Sequence, residues 1–139
     1  MKNLVDTSVW SLALRRKSIT DEERAVVEKL QELIEGLQVA IIGPVRQEVL
    51  SGIAEEEQYK LLKTKLAAFE DMPISTGDYE KAAFFYNACR ANGIQGSHID
   101  FLICAVAANH KTPIFTLDKD FFRYAECLPI TVHSQGRPG

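Results

Sequence analysis

Short apolar segments alternate with stretches of helical periodicity along this chain, and few folds are compatible with such an alternation. Residues 4–5, 39–42, 113–117 and 129–132 read as buried strands. Helices are predicted between them, so the strands need crossover connections, which favour a parallel sheet covered on both faces. We therefore predict an α/β domain, a three-layer α/β/α sandwich with a central parallel sheet of four to five strands.

Several element boundaries can be read from local signals. Thr20 and Glu23 form a capping box that starts one helix. Residues 97–109 are apolar nearly all round, which predicts a helix buried on most of its faces. Met72-Pro73-Ile74 reads as an additional short strand, and its proline would place it at the edge of the sheet.

Length and composition are those of one globular domain. The 139 residues are 46% hydrophobic and 25% charged, and we expect a domain over residues 1–133 and a flexible tail over 134–139. No apolar stretch reaches the length of a membrane span or a signal peptide, so we expect a cytoplasmic protein without a membrane partner. Three cysteines without a C-x-x-C pair are expected to be buried thiols: Cys89, Cys104 and Cys127.

Four acidic residues occupy positions where such folds build their sites, at the carboxyl ends of strands. Asp6 directly follows the first strand, and Asp118 directly follows the strand that ends at residue 117. Glu48 lies one turn into the helix after the second strand. Asp100 lies in the first turn of the apolar helix, where a charge is costly unless it is paired or bound to metal. Asp120 is a possible fifth member.

Carboxylates gathered at one sheet edge repel each other, and a divalent cation removes that conflict. Oxygen ligands without histidine or cysteine suit Mg²⁺ or Mn²⁺, which support hydrolysis of phosphodiester bonds. The formal net charge of −3 argues against a protein that holds nucleic acid by charge alone, but not against an acidic site neutralised by cations.

Each acid also has a purely structural interpretation. Asp6 and Asp118 are well placed to cap the helices that follow them, and Asp100 completes a possible capping box. Glu48 could pair with Arg46 or face solvent. Position alone leaves both interpretations open.

Each of the acids lies in a characteristic segment. The four segments are Leu4-Val5-Asp6-Thr7-Ser8-Val9-Trp10, Pro44-Val45-Arg46-Gln47-Glu48-Val49-Leu50, Asp100-Phe101-Leu102-Ile103-Cys104-Ala105-Val106-Ala107 and Thr116-Leu117-Asp118-Lys119-Asp120-Phe121. Taken in order, they resemble the motifs of PIN-domain ribonucleases and above all of the VapC-like toxins of toxin–antitoxin systems. The resemblance covers roughly residues 2–133.

The resemblance implies an endoribonuclease dependent on Mg²⁺ or Mn²⁺ that acts on RNA, commonly tRNA or rRNA. It also implies a homodimer inhibited by a small VapB-like antitoxin. The implied catalytic and metal-binding residues are Asp6, Glu48, Asp100 and Asp118. Of these, Asp6 and Asp100 would be the most direct ligands, whereas Thr116 and Asp120 match supporting positions. The signature offers both Asp118 and Asp120 as the fourth acid.

Three further features have a functional and a structural interpretation each. The basic cluster Arg15-Arg16-Lys17 could contact RNA phosphates or complement a helix end. Trp10 is expected in the core, with an antitoxin-binding groove as the alternative. One predicted helix carries more aromatic residues than a single face needs, which suggests a dimer or antitoxin interface: Tyr79, Phe84, Phe85 and Tyr86.

Two other classes of function are alternatives: a binding module with the same fold and a different α/β phosphotransfer protein. A PIN-fold module that binds RNA or protein without cleaving it is the main alternative, but it would be expected to lack one of the four acids. A haloacid dehalogenase-like phosphatase needs Asp-x-Asp after its first strand, whereas Asp6 is followed two residues later by Ser8. A response-regulator receiver needs an acidic pair that is not visible here.

Overall fold

The computed structural model describes residues 2–133, in which short strands alternate with helices. The four strands are β1 (Asn3–Val5), β2 (Val39–Ala40), β3 (Ile114–Phe115) and β4 (Val132–His133). The helices of this part of the chain are α1 (Thr7–Arg15), α2 (Asp21–Glu35), α3 (Gly43–Leu50), α4 (Glu56–Leu66), α5 (Thr76–Ala91), α6 (His98–His110) and α7 (Asp120–Tyr124).

The four strands form one parallel sheet in the order β2-β1-β3-β4. The central strand β1 places Leu4 beside Ala40 on one side and beside Ile114 on the other. Ile114 in turn pairs with Val132 of β4. Every strand is followed or preceded by a helix that carries the chain back across the sheet, and the predicted parallel α/β architecture is confirmed.

Both faces of the sheet are covered. Leu4 and Val5 point to opposite faces of β1, and both are completely buried. Helix α6 lies deep in the molecule, since its residues 101–107 are all buried, as the nearly uniform apolar sequence predicted. The fold is therefore a three-layer sandwich.

The capping box at the start of α2 forms as predicted. The hydroxyl of Thr20 accepts a hydrogen bond from the Glu23 backbone N–H at 3.1 Å, and the Glu23 carboxylate accepts one from the Thr20 N–H at 2.9 Å. A cap of this kind stabilises a helix by about 1 kcal/mol.

The predicted strand at Met72-Pro73-Ile74 is wrong. A single parallel bridge joins Asp71 to Ile41, and the backbone N–H of Met72 donates to the Ile41 carbonyl at 2.8 Å. Pro73 has no N–H and cannot continue the ladder. The sheet of the described residues therefore has four strands.

Residues 134–139, predicted to form a tail, lie outside the described residues, as does Met1. Within residues 2–133, no helix combines the length and apolar character needed to cross a membrane.

Candidate active site

The carboxyl ends of β1 and β3 bring Asp6 and Thr116 together across 110 positions of sequence. The two strands are neighbours in the sheet, and the Asp6 backbone N–H donates to the carbonyl of Phe115 at 3.0 Å. Each residue comes directly after its strand, so both side chains reach the same edge. Asp6 is 5% exposed and Thr116 is fully buried.

Two hydroxyl groups hold one oxygen of the Asp6 carboxylate. Thr116 Oγ1 and Ser8 Oγ each donate to Asp6 Oδ2 at 2.7 Å. Backbone donors orient these hydroxyls in turn, since the N–H of Leu117 donates to Ser8 Oγ and the N–H of Asp118 donates to Thr116 Oγ1, both at 2.9 Å. Charge-assisted hydrogen bonds of this length are strong. The other oxygen of Asp6, Oδ1, receives no hydrogen bond from residues 2–133, and is the oxygen left for a ligand.

Asp100 lies in the first turn of α6, where Ser97 is the N-cap and accepts from the Asp100 backbone N–H at 3.0 Å. The predicted capping box is only half formed, because the Asp100 carboxylate does not bond back to the Ser97 backbone. Its Oδ2 instead accepts a hydrogen bond from the hydroxyl of Tyr124 at 2.6 Å.

The acids influence each other electrostatically. Burial raises the pKa of Asp100, the hydrogen bonds from Tyr124 and Ser97 lower it, and the charges of Asp6 and Asp118 raise it further. Burial likewise raises the pKa of Asp118, with an opposing backbone hydrogen bond and additional increases from neighbouring acids, Asp6 among them. Both pKa values end above the ordinary range. Asp6, Asp100 and Asp118 are therefore close enough to influence one another through their charges, and they form one acidic region.

Asp118 and Asp120 differ in their surroundings. Asp118 is half-buried, and its Oδ1 accepts from the Asp120 backbone N–H at 2.9 Å at the start of α7, so the predicted capping role is present. Asp120 is exposed and acts on this region through its charge, which raises the pKa of Asp118. Of the two, Asp118 is the one whose charge raises the pKa of Asp100.

Within residues 2–133, the side chain of Glu48 takes no part in the hydrogen bonds of the acidic region. Its side chain is exposed on α3, and it makes no hydrogen bond or ion pair with any residue in 2–133. Arg46, its suggested partner, instead pairs with Asp71 at 3.0 Å and also donates to the backbone carbonyls of Leu66 and Phe69. Arg46 therefore ties α3 to the segment after α4.

The donor chemistry of the acidic region suits a hard divalent cation. Asp6 has one carboxylate oxygen held by two hydroxyl donors and one oxygen without a hydrogen bond from residues 2–133, and Asp100 accepts a hydroxyl hydrogen bond at Oδ2. Across those residues, no group of three or more His, Cys, Asp or Glu side chains is arranged to hold a metal ion. Mg²⁺ retains several waters and needs only one or two carboxylates, so the residues present fit this ion.

The basic cluster lies at the far end of α1 from Asp6, a distance of about 13 Å for a helix of this length. Arg15 is the last residue of α1, where a cation complements the helix dipole. Arg16 is 3.5 Å from the Glu23 carboxylate. Lys17 is exposed. Local interactions thus account for the two arginines.

Trp10 lies in the core, as predicted, and also borders a cavity. It is 1% exposed and packs against Phe69 with 5.1 Å between ring centroids, yet its ring also lines an apolar cavity of about 310 Å³ between α1, α2 and α4. Its indole N–H is buried and has no partner among the described residues.

The aromatic residues of α5 divide between core and surface. Phe85 is buried, whereas Tyr79 is 55% and Phe84 is 69% exposed. Tyr79 also lines an apolar depression with residues of α3 and α6. A part of this helix therefore presents an apolar surface, as predicted.

Two residues of the site were missed from the sequence alone. Ser8 could have been noticed, because a hydroxyl two residues after a capping aspartate is a common local motif. Tyr124 has no such signal, since it reaches Asp100 from 24 positions away and from another helix.

A family model described as PIN domain matches residues 4–126. Among solved structures, a chain of FitAcB from Neisseria gonorrhoeae has a TM-score of 0.75 at 22% identity, covering 93% of this chain and 94% of that chain. A chain of VapBC2 from Rickettsia felis, bound to a promoter DNA fragment, has a TM-score of 0.76 at 17% identity, covering 96% and 98%.

A chain of the VapBC-5 toxin–antitoxin system of Mycobacterium tuberculosis has a TM-score of 0.66 at 20% identity, covering 96% of each chain. The comparison with curated protein sequences gives no match. At these identities the structural likeness is one of fold, and it extends over nearly the whole chain.

Proposed function

Because this chain belongs to the PIN domain family, we propose that it is a metal-dependent endoribonuclease, a toxin that hydrolyses phosphodiester bonds of tRNA or rRNA and is neutralised by a cognate antitoxin. One observation carries the proposal. A buried carboxylate, Asp6, is oriented by two hydroxyls at the carboxyl end of the central strand and shares an acidic region with Asp100 and Asp118.

Asp6 and Asp100 are the direct ligands of Mg²⁺ or Mn²⁺ in this proposal. Asp118 contributes negative charge from the loop before α7, and Glu48 completes the acidic set from α3. When bound, the cation supplies positive charge for the scissile phosphate and lowers the pKa of water. The hydroxyl of Thr116 donates to Asp6, and the backbone N–H of Asp120 donates to Asp118 in the loop before α7.

The chain's own residues prepare the site for this chemistry. Ser8 and Thr116 fix Oδ2 of Asp6, which leaves Oδ1 for the cation. Burial raises the pKa values of Asp100 and Asp118 most, and the negative charges of neighbouring acids raise them further; a bound cation would relieve the repulsion between these acids. Because the Asp6 carboxylate is already oriented, little free energy is needed to reorganise it when the cation binds.

The apolar cavity beside Trp10 supports an antitoxin partner. It lies between three helices and is lined mostly by apolar side chains, which suits the apolar face of a bound peptide. An amphipathic segment laid into such a groove is a common mode of peptide recognition. Chains of similar fold occur in structures described as toxin–antitoxin complexes. A VapB-like segment is the occupant that we propose.

The exposed aromatic residues of α5 support a homodimer. Tyr79 and Phe84 leave apolar surface in contact with water, and burial against a second copy would remove it. An RNA substrate also implies that the protein acts in the cytoplasm.

The decisive experiment measures cleavage of purified tRNA and rRNA by the antitoxin-free protein. We expect cleavage with Mg²⁺ or Mn²⁺ and none after EDTA, with recovery when the metal is restored. The variant Asp6→Asn keeps the size and the hydrogen-bond acceptor of the side chain but removes its charge. It should lower the rate by about 10³-fold or more, because both ligand and charge are lost, while circular dichroism shows an unchanged fold.

Two results would contradict the proposal. Cleavage that persists in EDTA would remove the metal from the mechanism. Binding of RNA without any product under Mn²⁺ would favour the alternative, a PIN-fold module that binds RNA or protein without cleaving it.

A further inference from the structure

Asp100 is held by a residue of another helix, Tyr124 of α7. We propose that Tyr124 is the positioning residue of this acid: its hydroxyl fixes the orientation of the Asp100 carboxylate, and thereby the affinity of the site for a divalent cation. The second half of this inference rests on the proposed function, because it takes Asp100 as a metal ligand.

The first argument is the confinement of the tyrosine. Tyr124 is completely buried, and its ring packs between Phe101 at 4.9 Å and Phe121 at 5.2 Å between centroids. A buried hydroxyl must find an acceptor, and the one it has is Asp100 Oδ2 at 2.6 Å. The ring cannot turn away, so the position of its hydroxyl is set by packing.

The second argument is Gly96, which lies in the loop before α6. A Cβ atom on this residue would overlap the hydroxyl and ring of Tyr124. The backbone angle φ of Gly96 is not in the left-handed region, so the need for glycine is one of space. The loop is therefore closed over Tyr124, which restricts the ring from a third side.

The third argument is the position of Tyr124 on α7. The same short helix begins at Asp120, whose backbone N–H donates to Asp118 Oδ1. One five-residue helix therefore supplies a donor to Asp118 at its start and a donor to Asp100 at its end. Through these two bonds α7 couples the position of the Asp118 loop to that of α6.

The fourth argument is which carboxylate oxygen of Asp100 accepts the hydrogen bond from Tyr124. Tyr124 donates to Oδ2 of Asp100 at 2.6 Å, and the side chain of Ser97 is the other hydrogen-bond partner that lowers the pKa of this carboxyl. Removing the Tyr124 hydroxyl would take away the donor that holds Oδ2 and would loosen the orientation of the carboxylate. Partners that orient metal ligands typically account for about 10- to 100-fold in metal affinity.

The test compares Tyr124→Phe with the matched control Tyr86→Phe. Both variants keep the ring and lose one hydroxyl in a hydrogen bond, since Tyr86 accepts from Arg90 at 3.0 Å. Mn²⁺ affinity, measured by calorimetry or electron paramagnetic resonance, should fall about 10- to 100-fold in Tyr124→Phe and stay within twofold of wild type in Tyr86→Phe.

Crystal structures of the metal-free wild type and of Tyr124→Phe give a second readout. We expect one orientation of the Asp100 carboxylate in the wild type and a rotated or multiple orientation in the variant. Gly96→Ala, which displaces the ring but keeps the hydroxyl, should produce the same change and serves if Tyr124→Phe folds poorly.

The outcomes separate the two proposals. An unchanged Asp100 orientation in Tyr124→Phe overturns the positioning role. An altered orientation with unchanged Mn²⁺ affinity overturns the second half of the inference, that this orientation sets the affinity for a divalent cation. If the wild type binds no Mn²⁺, the metal-dependent function fails, and the orientation of Asp100 alone decides whether Tyr124 positions it.

Discussion

Asp6 and Glu48 follow neighbouring strands of the sheet, yet the structure treats them differently. Asp6 directly follows β1, is 5% exposed, and accepts hydrogen bonds from two hydroxyls. Glu48 lies in α3, after β2, and is exposed without a hydrogen bond or ion pair among residues 2–133. Asp6 is therefore ordered because Ser8 and Thr116 donate to it, whereas no side-chain donor among residues 2–133 reaches Glu48.

The difference has a free-energy consequence. Burying the Asp6 carboxylate is unfavourable, and hydrogen bonds to a charged group offset this by about 1.5–3 kcal/mol each. The side chain of Glu48 keeps its conformational freedom, and ordering it would cost about 1–2 kcal/mol. That cost corresponds to roughly tenfold in an equilibrium constant. Asp6 is prepared before a ligand arrives, whereas Glu48 must be ordered by the ligand.

The largest effect on the difference between Asp6 and Glu48 is expected from Thr116→Val. This variant keeps the shape of the side chain and removes the hydroxyl that donates to Asp6. We expect kcat/KM for RNA to fall about 10- to 100-fold, because the carboxylate loses one of its orienting donors. Thr112→Val is the control, since within residues 2–133 the Thr112 hydroxyl bonds to the nearby His110 carbonyl and to no acid of the site. Equal activity of both variants would show that Asp6 does not need this donor.

A smaller effect is expected from Glu48→Gln. If Glu48 is ordered only on binding, its contribution should be limited to about tenfold in kcat/KM, with a change in the free energy of unfolding within about 0.5 kcal/mol. Glu57→Gln, on the exposed start of α4, should leave both quantities unchanged. A loss as large as that of Asp6→Asn would show that Glu48 is held in the site as firmly as Asp6.

The smallest effect extends the comparison to Asp100 and concerns stability. Burial raises the pKa of Asp100 in the folded protein, with contributions from Asp6 and Asp118. The folded protein therefore keeps a proton that the unfolded chain has lost, so this group makes stability fall as pH rises from about 4 through the raised pKa. Asp100→Asn removes this term and still accepts from Tyr124.

The melting temperature of metal-free Asp100→Asn should therefore exceed that of wild type at pH 7. The difference should shrink below about pH 4, where the wild-type carboxyl is protonated in both states. Differential scanning calorimetry at several pH values in EDTA measures it. A lower melting temperature for the variant at pH 7 would show that the charge of Asp100 is compensated in the metal-free protein.

Much of the fold could be predicted because its signals are local. The capping box of Thr20 and Glu23 and the N-cap at Ser97 involve residues three positions apart. The nearly uniform apolar sequence of α6 predicted its burial. The predicted strand at residues 72–74 failed because apolar residues beside a proline do not reveal whether a partner strand can form a ladder with them.

The candidate site could be predicted only in part. Asp6, Asp100 and Asp118 were identified from their places beside strands and in the first turn of a helix, and the structure joins them in one acidic region. The same reasoning selected Glu48, for which the described residues provide no partner. Position in the chain identifies acids that follow a strand, but it does not show whether a hydrogen-bond donor lies next to them in the fold.

The amino-acid sequence by itself determined where strands and helices alternate, that the sheet would be parallel, and which acids would stand at its carboxyl edge. These properties follow from periodicity and from the geometry of crossover connections. Only the tertiary structure decided which of the acids are held. The donors to Asp6 and Asp100 come from Thr116 and Tyr124, which are distant in sequence, and no local pattern records which distant side chains the sheet order and helix packing will bring within hydrogen-bonding distance.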